Sequence, residues 1–295
     1  MVATPAPNPE RIRELAARTR FTDEGVGPGG VGPRGGITCV GSTGSTNADM
    51  ADFVRAGGTG FRVLVADHQD QGRGRFARRW QDTPGTSLAL SVLVPTDRPA
   101  ADWGWLSMVA GLAVTRAVEE TTGAERGRVV LKWPNDVLLD TDRDHGGKVC
   151  GILCERVDGP AGPHAVLGMG LNVSAEGDEL PVPTATSLRC CGLPHDKDVL
   201  VAALVRHLDG LLDQWLGTGT VRQDYRARCD TVGARVRLTF DTAGRGIAGA
   251  PAPVQGERVV EGVAVDVSAD GALVVRDEAG DHVFPAADVT HLRPR

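Results

Sequence analysis

Apolar residues return every three to four positions in several stretches, and each such stretch predicts a helix facing a core. Over residues 103–122, Leu106, Val109, Leu112, Ala113 and Ala117 share one face, and Gly123 follows as a stop signal. Residues 198–216 repeat the pattern with Val199, Leu200, Leu204, Leu208, Leu211, Leu212 and Trp215. Shorter helices are predicted over 11–21, with Ile12, Leu15, Ala16 and Thr19 on one side, over 48–56, with Met50, Phe53 and Val54, and over 221–229. Ser45 or Thr46 has N-cap chemistry for the helix at 48–56.

Short continuous or alternating apolar runs predict strands. They begin at Ile37 and recur at 62–67, 87–94, 129–133, 137–139, 149–155 and 164–173. Pro134-Asn135-Asp136 is turn chemistry, so 129–133 and 137–139 pair as an antiparallel hairpin with Lys132, Asn135 and Asp136 near one sheet end. Gly168-Met169-Gly170-Leu171-Asn172 puts glycines inside an apolar strand, where a ligand or another backbone comes close. Residues 174–195 read as a long loop of the kind that covers a site. Beyond Thr231 the texture changes to short strands at 235–240, 258–267, 272–276, 282–284 and 289–292, with a hairpin at Asp270-Gly271, which predicts a small β-barrel. Residues 24–36 hold seven glycines and two prolines, a connector composition. Three units follow: a flexible N-terminal segment 1–36, a main domain 37–231 and a small β domain 232–295.

Composition narrows the class. With 295 residues and 41% hydrophobic positions the chain can bury a large core, and its net charge of −6 argues against general nucleic-acid binding. The small β domain holds seven arginines against nine Asp and Glu, a poor balance for nucleic acid. Six cysteines (Cys39, Cys150, Cys154, Cys190, Cys191, Cys229) make no C-x-x-C pair and the histidines no H-E-x-x-H, so reduced thiols in a cytoplasmic setting are expected. No apolar run reaches membrane-spanning length and no signal peptide opens the chain; neither a membrane nor DNA is expected as a partner.

Against that acidic background one segment stands out: Gly72-Arg73-Gly74-Arg75-Phe76-Ala77-Arg78-Arg79-Trp80, four arginines and two glycines in nine residues. Glycines admit close approach, and forked guanidiniums suit bidentate contact with phosphoryl or carboxylate oxygens. Taken alone, the segment also fits a solvated basic loop. It satisfies G-x-G-x-x-A as well, but arginines fill the turn and no helix begins there, as a dinucleotide site requires. Lys132 beside Asp136 is what a magnesium-nucleotide site needs, and equally an ordinary turn pair; Lys148 opens the strand at 149–155 as either a site residue or a strand-end lysine.

In order and spacing, Ser45-Thr46-Asn47, Gln69, Gly72-Arg73-Gly74-Arg75, Lys132-Trp133-Pro134-Asn135-Asp136, Gly147-Lys148 with Gly151-Ile152-Leu153, and Gly168 to Asn172 resemble the biotin protein ligases over residues 38–292. The resemblance lacks the helix-turn-helix domain of bifunctional members and looks like the monofunctional type. It implies an α/β (α+β) fold with a mixed, largely antiparallel sheet and flanking helices, like the cores of class II aminoacyl-tRNA synthetases, plus a C-terminal SH3-like β-barrel. It further implies activation of biotin by ATP and Mg2+ to biotinyl-5′-AMP, with no tightly bound organic cofactor. Transfer to a lysine of the biotin carboxyl carrier domain of an acyl-CoA or pyruvate carboxylase would follow.

The same resemblance assigns roles. Lys148, Arg73 and Lys132 would be catalytic, Lys148 touching both biotin carboxyl and α-phosphate. Ser45, Thr46, Asn47 and Gln69 would bind the ureido ring, with Arg73, Gly74, Arg75, Lys148, Gly151 and Gly168 completing the biotin site. Arg73, Arg75, Arg78, Trp80, Lys132, Asn135, Asp136 and Asn172 would serve ATP, with Asp136 as magnesium ligand. The arginine loop would close over the adenylate and be disordered when empty, because unpaired arginines repel. A homodimer is a family habit, and a sheet edge near Val166 is the expected pairing place. Two departures stand out: Ala77 occupies a position where many members carry glycine, and Asp70-Gln71 replaces a small or hydroxyl pair, leaving Gln69 as the ring contact. The alternatives are a lipoate or octanoyl ligase of related fold and a non-catalytic biotin or nucleotide sensor.

Overall fold

The apolar runs assemble around one seven-stranded sheet in a computed structural model that describes residues 4–22, 36–140, 146–240 and 258–292, with the side chains of Ala77 and Arg258 outside the description. Most of the glycine-rich stretch at 24–36 lies outside the described residues. The main-domain elements run α1 (Pro9–Ala16), β1 (Ile37–Val40), α2 (Thr46–Arg55), β2 (Arg62–Ala66), β3 (Ser87–Pro95), α3 (Leu106–Thr122), β4 (Val129–Lys132), β5 (Asp136–Leu139), β6 (Gly147–Gly159), β7 (Gly162–Asn172), α4 (Lys197–Thr218) and α5 (Arg222–Arg226). The sheet order is β1-β2-β3-β7-β6-β5-β4; β1 and β2 are parallel and every other pair is antiparallel.

Strand alternation divides the side chains between two faces. On β3 and β7, Leu88, Leu90, Val92, Ala165, Leu167 and Leu171 join α3 and α4 in the larger core. The alternate positions Leu93 and Val166 meet Met50, Ala51 and Val54 of α2 on the other face, together with Val157 of β6. Further along that second face β7 carries Gly168 and Gly170, so this strand presents no side chains there and is left as a floor.

Two expectations need correction. Residues 4–22, expected within a flexible segment, are packed: Ile12, Ala16 and Phe21 are fully buried, and α1 lies along α4. The helix also starts earlier than its periodicity suggests, because Asn8 caps it, its Oδ1 accepting from the amides of Glu10 and Arg11, and Pro9 opens it with a preset φ. Arg11 then reaches Asp196 and Asp198 at the start of α4. The second correction concerns the pairing edge: Val166 is buried in β7 between β3 and β6, while the sheet edges are β1 and β4.

The C-terminal strands β8 (Arg235–Phe240), β9 (Arg258–Val267), β10 (Leu273–Asp277), β11 (Gly280–Phe284) and β12 (Asp288–His291) form a second, wholly antiparallel sheet in the order β11-β10-β9-β8-β12. The Asp270-Gly271 turn joins β9 to β10 with Gly271 at φ 87°, a left-handed value that suits glycine. This sheet is docked on the main domain by buried tryptophans. Trp105 Nε1 donates to the Ala269 carbonyl at 2.8 Å and Trp133 Nε1 to the Gly271 carbonyl at 2.9 Å. Among the described residues no helix is long and apolar enough to cross a membrane, and all six cysteines are free. Burial pushes Cys39 up to about 11 and Cys150 to about 12, so these thiols are poor nucleophiles.

Candidate active site

A cavity of about 500 Å³ opens over the glycine floor of the sheet, and every site residue put forward from the sequence borders it. The close approach expected at the glycines is real. A Cβ on Gly168 would lie 2.3 Å from Asn47 Oδ1, and one on Gly170 2.5 Å from Trp80 Cε2. The first glycine admits the helix start that carries Ser45-Thr46-Asn47; the second admits an indole lying on the sheet. Ser45 caps α2, accepting from the Ala48 amide at 3.4 Å, so the capping reading of this turn holds together with its place at the cavity.

At that end the polar groups are joined. Gln69 Oε1 accepts from the Thr46 amide at 2.7 Å, Thr46 Oγ1 is 2.7 Å from Ser91 Oγ, and Ser91 Oγ donates to Asn47 Oδ1 at 2.6 Å. All four side chains are buried. A buried polar group is tolerable only when it is partnered, so this cluster presents fixed donors and acceptors to a polar ring.

Lys148 reaches the site through a β-bulge. Val137 pairs with Cys150 and Leu138 with Lys148, so Val149 is an extra residue on β6. The bulge turns Lys148 onto the side of Gly151, whose hypothetical Cβ would sit 3.0 Å from Lys148 Nζ. Lys148 Nζ lies 2.6 Å from Asp136 Oδ1. Its main chain is held by the long loop, with the Lys148 amide donating to the Thr184 carbonyl at 2.9 Å and the Thr186 amide to the Lys148 carbonyl at 3.0 Å. Asn135 is fixed by donating from Nδ2 to the Ile152 carbonyl at 2.8 Å, and Asn172 by donating to the Thr186 carbonyl at 3.0 Å. Burial lowers the Lys132 pKa, against the pull of Asp136. An ammonium stripped of part of its water is a strong partner for an arriving anion.

The arginine segment is a folded loop. The Trp80 amide donates to the Gly72 carbonyl at 3.0 Å and the Gly74 amide to the Arg78 carbonyl at 2.8 Å, while Arg75–Ala77 make one 3₁₀ turn. Phe76 is left-handed at φ 55°, ψ 42°, an uncommon conformation for an aromatic residue. The expectation of unpaired arginines does not hold for the three expected to bind. Arg73 Nη2 donates to Glu155 Oε2 at 2.9 Å, Arg75 Nη1 to Asn135 Oδ1 at 3.0 Å, and Arg78 pairs with Asp288 of β12. Burial lowers the Arg75 pKa. The chain continues into β3, antiparallel to β2, with no long helix after the glycines, so the dinucleotide fingerprint is excluded.

The sequence reading expected the long loop to cover a site and missed a second wall. Pro181 to Ala185 of the long loop and Ala287 to Thr290 of the C-terminal sheet also border the cavity. The first had a signal in its length; Asp288 had none, because nothing in a lone Asp on a short strand predicts which domain face it meets.

Comparison with known proteins fits this arrangement. Residues 53–172 match the profile of the Biotin/lipoate A/B protein ligase family and residues 253–292 that of the Biotin protein ligase C terminal domain. The chain is 37% identical over 288 residues to the biotin acetyl-CoA-carboxylase ligase of Mycobacterium tuberculosis, covering 96% of this chain and 98% of that one. This chain belongs to the biotin protein ligase family. The corresponding ligase of Paracoccus denitrificans is 31% identical over 84% of this chain and 97% of its own length. The fold is that of the Aquifex aeolicus biotin protein ligase solved with biotin and ATP, with a TM-score of 0.63, 23% identity, and coverage of 88% of this chain and 99% of that one. Membership accounts for the small β domain, whose residues match the family's C-terminal domain.

Proposed function

We propose that this chain is an ATP-dependent biotin protein ligase that makes biotinyl-5′-AMP and passes the biotinyl group to a lysine of a carboxylase carrier domain. The observation that carries the reading is the convergence of Arg73, Arg75, Arg78, Lys132 and Lys148, from separate segments, on one glycine-floored cavity. A carboxylate and a triphosphate repel each other, and the phosphorus under attack gathers negative charge; fixed cations aimed at that charge lower the barrier.

In this reading the ureido ring lies against Ser45, Thr46, Asn47 and Gln69; the space expected for the bicycle and tail beside Gly168 and Gly151 is taken instead by Asn47 and by Lys148 with Trp80, which those glycines let close onto the sheet. A carboxylate oxygen of biotin attacks the α-phosphorus, a P–O bond forms, the α–β anhydride bond breaks and pyrophosphate leaves. Lys148 neutralises both carboxyl and α-phosphate, giving up its contact with Asp136. Arg73, Gly74 and Arg75 cover the adenylate and exclude the water that would hydrolyse a mixed anhydride. Arg78, Trp80, Lys132, Asn135 and Asn172 hold the nucleotide. In the second step the ε-amine of the acceptor lysine attacks the acyl carbon, forming C–N and breaking C–O, and AMP leaves as the amine loses its proton.

Among the described residues no three His, Cys, Asp or Glu side chains gather as a metal site. A magnesium ion here would take most of its ligands from the triphosphate and water, with Asp136 as its protein carboxylate, in keeping with the ion's reluctance to dehydrate. Its contribution is to offset triphosphate charge.

Biotin-dependent exchange of labelled pyrophosphate into ATP tests the first step, and labelling of a carrier-domain lysine tests the second. Exchange driven by lipoate in place of biotin would transfer the assignment to the related ligases, and binding of biotin with no exchange would make the chain a sensor.

A further inference from the structure

Behind the cavity wall one carboxylate oxygen serves two masters. Glu155 Oε2 accepts from Asn47 Nδ2 at 2.8 Å and from Arg73 Nη2 at 2.9 Å. Asn47 Nδ2 also donates to the Leu153 carbonyl at 3.1 Å, on the same strand, so the carboxamide cannot swing without leaving β6. Asn47 is further fixed through Oδ1 by Ser91, and the absent side chain of Gly168 is what lets it lie this close to the sheet. Arg73, by contrast, sits at the root of the arginine loop and is 46% exposed, with Glu155 30% exposed beside it.

We propose that Glu155 is a positioning residue that sets the span between the ring-recognition end of the site and its anion-recognition end, and thereby selects the length of the substrate's acyl chain. The inference rests on the functional reading above, in which Asn47 meets the ureido ring and Arg73 the carboxyl group. Those two ends of one substrate are joined by a chain of methylenes, and the two residues that read them hang from one oxygen atom. The ring end is rigid because it is buried and multiply bonded; the half-exposed guanidinium of Arg73 is held by Glu155. The reach of Arg73 is therefore measured from Asn47. A misplacement of about 1 Å at the reacting centre can cost about 10²-fold in rate, and one methylene is about that length.

The charge of Glu155 matters for only one of its partners. A neutral amide at this position still offers an oxygen to Asn47, but it loses the charge-assisted bond that orients a guanidinium. Glu155→Gln thus leaves ring recognition in place and releases Arg73. Arg73→Lys tests the same tie from the other side, keeping the positive charge and losing the fork. Because exposed ion pairs of this kind contribute little to stability, neither change is expected to unfold the protein.

The test is pyrophosphate exchange driven by biotin and by homobiotin, which carries one more methylene. Wild-type protein should prefer biotin by about 10–200-fold in kcat/KM, the usual worth of one methylene. In Glu155→Gln that preference should fall by about tenfold, with biotin losing rate and homobiotin nearly unchanged, while the affinity for biotin alone stays within a few-fold of wild type; in Arg73→Lys both substrates should lose rate, biotin by about tenfold more than homobiotin. A wild-type protein indifferent to chain length overturns the proposal. So do variants in which both substrates lose rate by the same factor, since that is what a merely structural glutamate would give. Absence of any biotin-dependent exchange by the wild type would instead remove the functional reading itself.

Discussion

Lys148 Nζ stands 2.6 Å from Asp136 Oδ1, on neighbouring strands, at the one place where their register slips. Without the extra Val149 the lysine would follow strict alternation and face away from Gly151. The pair gives the ammonium a fixed resting position inside the cavity, one that an incoming anion can replace.

The first prediction concerns that ammonium. Lys148→Ala should slow adenylate formation by about 10²-fold or more, the cost of losing one preorganised electrostatic contact. Pyrophosphate release at saturating biotin and ATP measures it. A rate like that of the wild type would remove Lys148 from the chemistry.

The second concerns the contact between domains. Asp288 pairs with Arg78 and also faces Arg75 and Lys132 closely enough to act on their charge. A partly exposed pair of this kind is worth about 0–1 kcal/mol. Asp288→Asn should therefore free Arg78 for phosphate and tighten binding of a non-hydrolysable ATP analogue by up to about fivefold. Calorimetric titration at two salt concentrations reads it. Weaker binding would mean that Asp288 assists the nucleotide instead of competing with it.

These residues also mark how far the sequence alone reaches. The long helices, the strands of both sheets and the hairpin at Asp136 were legible because apolar period and turn chemistry are local properties. The residues that gather at the cavity were legible as a set because their motifs resemble those of a family. Four things were not. The N-terminal helix looked unattached, since Asn8 and Pro9 are weak signals until α4 is seen beside them. Val166 looked free, since strand order is set by pairings between segments far apart in the chain. Glu155, Ser91 and Asp288 carried no motif at all; their importance comes from which atoms they meet. The loop arginines were expected unpaired because their own segment holds no acid, whereas the oxygens that receive them come from the β4–β5 turn, β6 and β12.

The third prediction is a pH dependence. Asp82 is buried at the foot of the arginine loop, with His68 Nδ1 3.0 Å from its Oδ1, and burial raises its pKa above the ordinary aspartate value, His68 opposing. Asp67 and the Gln69 amide also face it, and Asp67 is itself held by Lys197 at 2.5 Å. A raised carboxyl pKa means that the folded state binds the proton more tightly than the unfolded chain. The stability from this group is complete below about pH 3.9 and is lost as pH rises through the folded value. Asp82→Asn removes that loss, so its stability relative to wild type should improve as pH rises from about 4 through the folded value. Urea midpoints measured across that range give the difference directly, and a constant difference would sink the assignment.

The fourth prediction tests the floor of the site. A methyl group on Gly168 would fall 2.3 Å from Asn47 Oδ1 and 2.8 Å from its Nδ2, inside any real contact distance. Asn47 would have to leave, and with it the acceptor that Ser91 uses and the donor that Glu155 receives. Overpacking of this size typically costs about 1–3 kcal/mol. Leaving the hydroxyl of Ser91, which is fully buried, with one partner fewer adds to that cost. Gly168→Ala should thus lower the urea midpoint and weaken biotin binding together. Gly151→Ala should be milder, because its nearest neighbours at 3.0 Å are the flexible end of Lys148 and those at 3.1 Å the rim of Trp80. If the two variants lose biotin affinity equally, the ring end of the cavity is not where Asn47 stands.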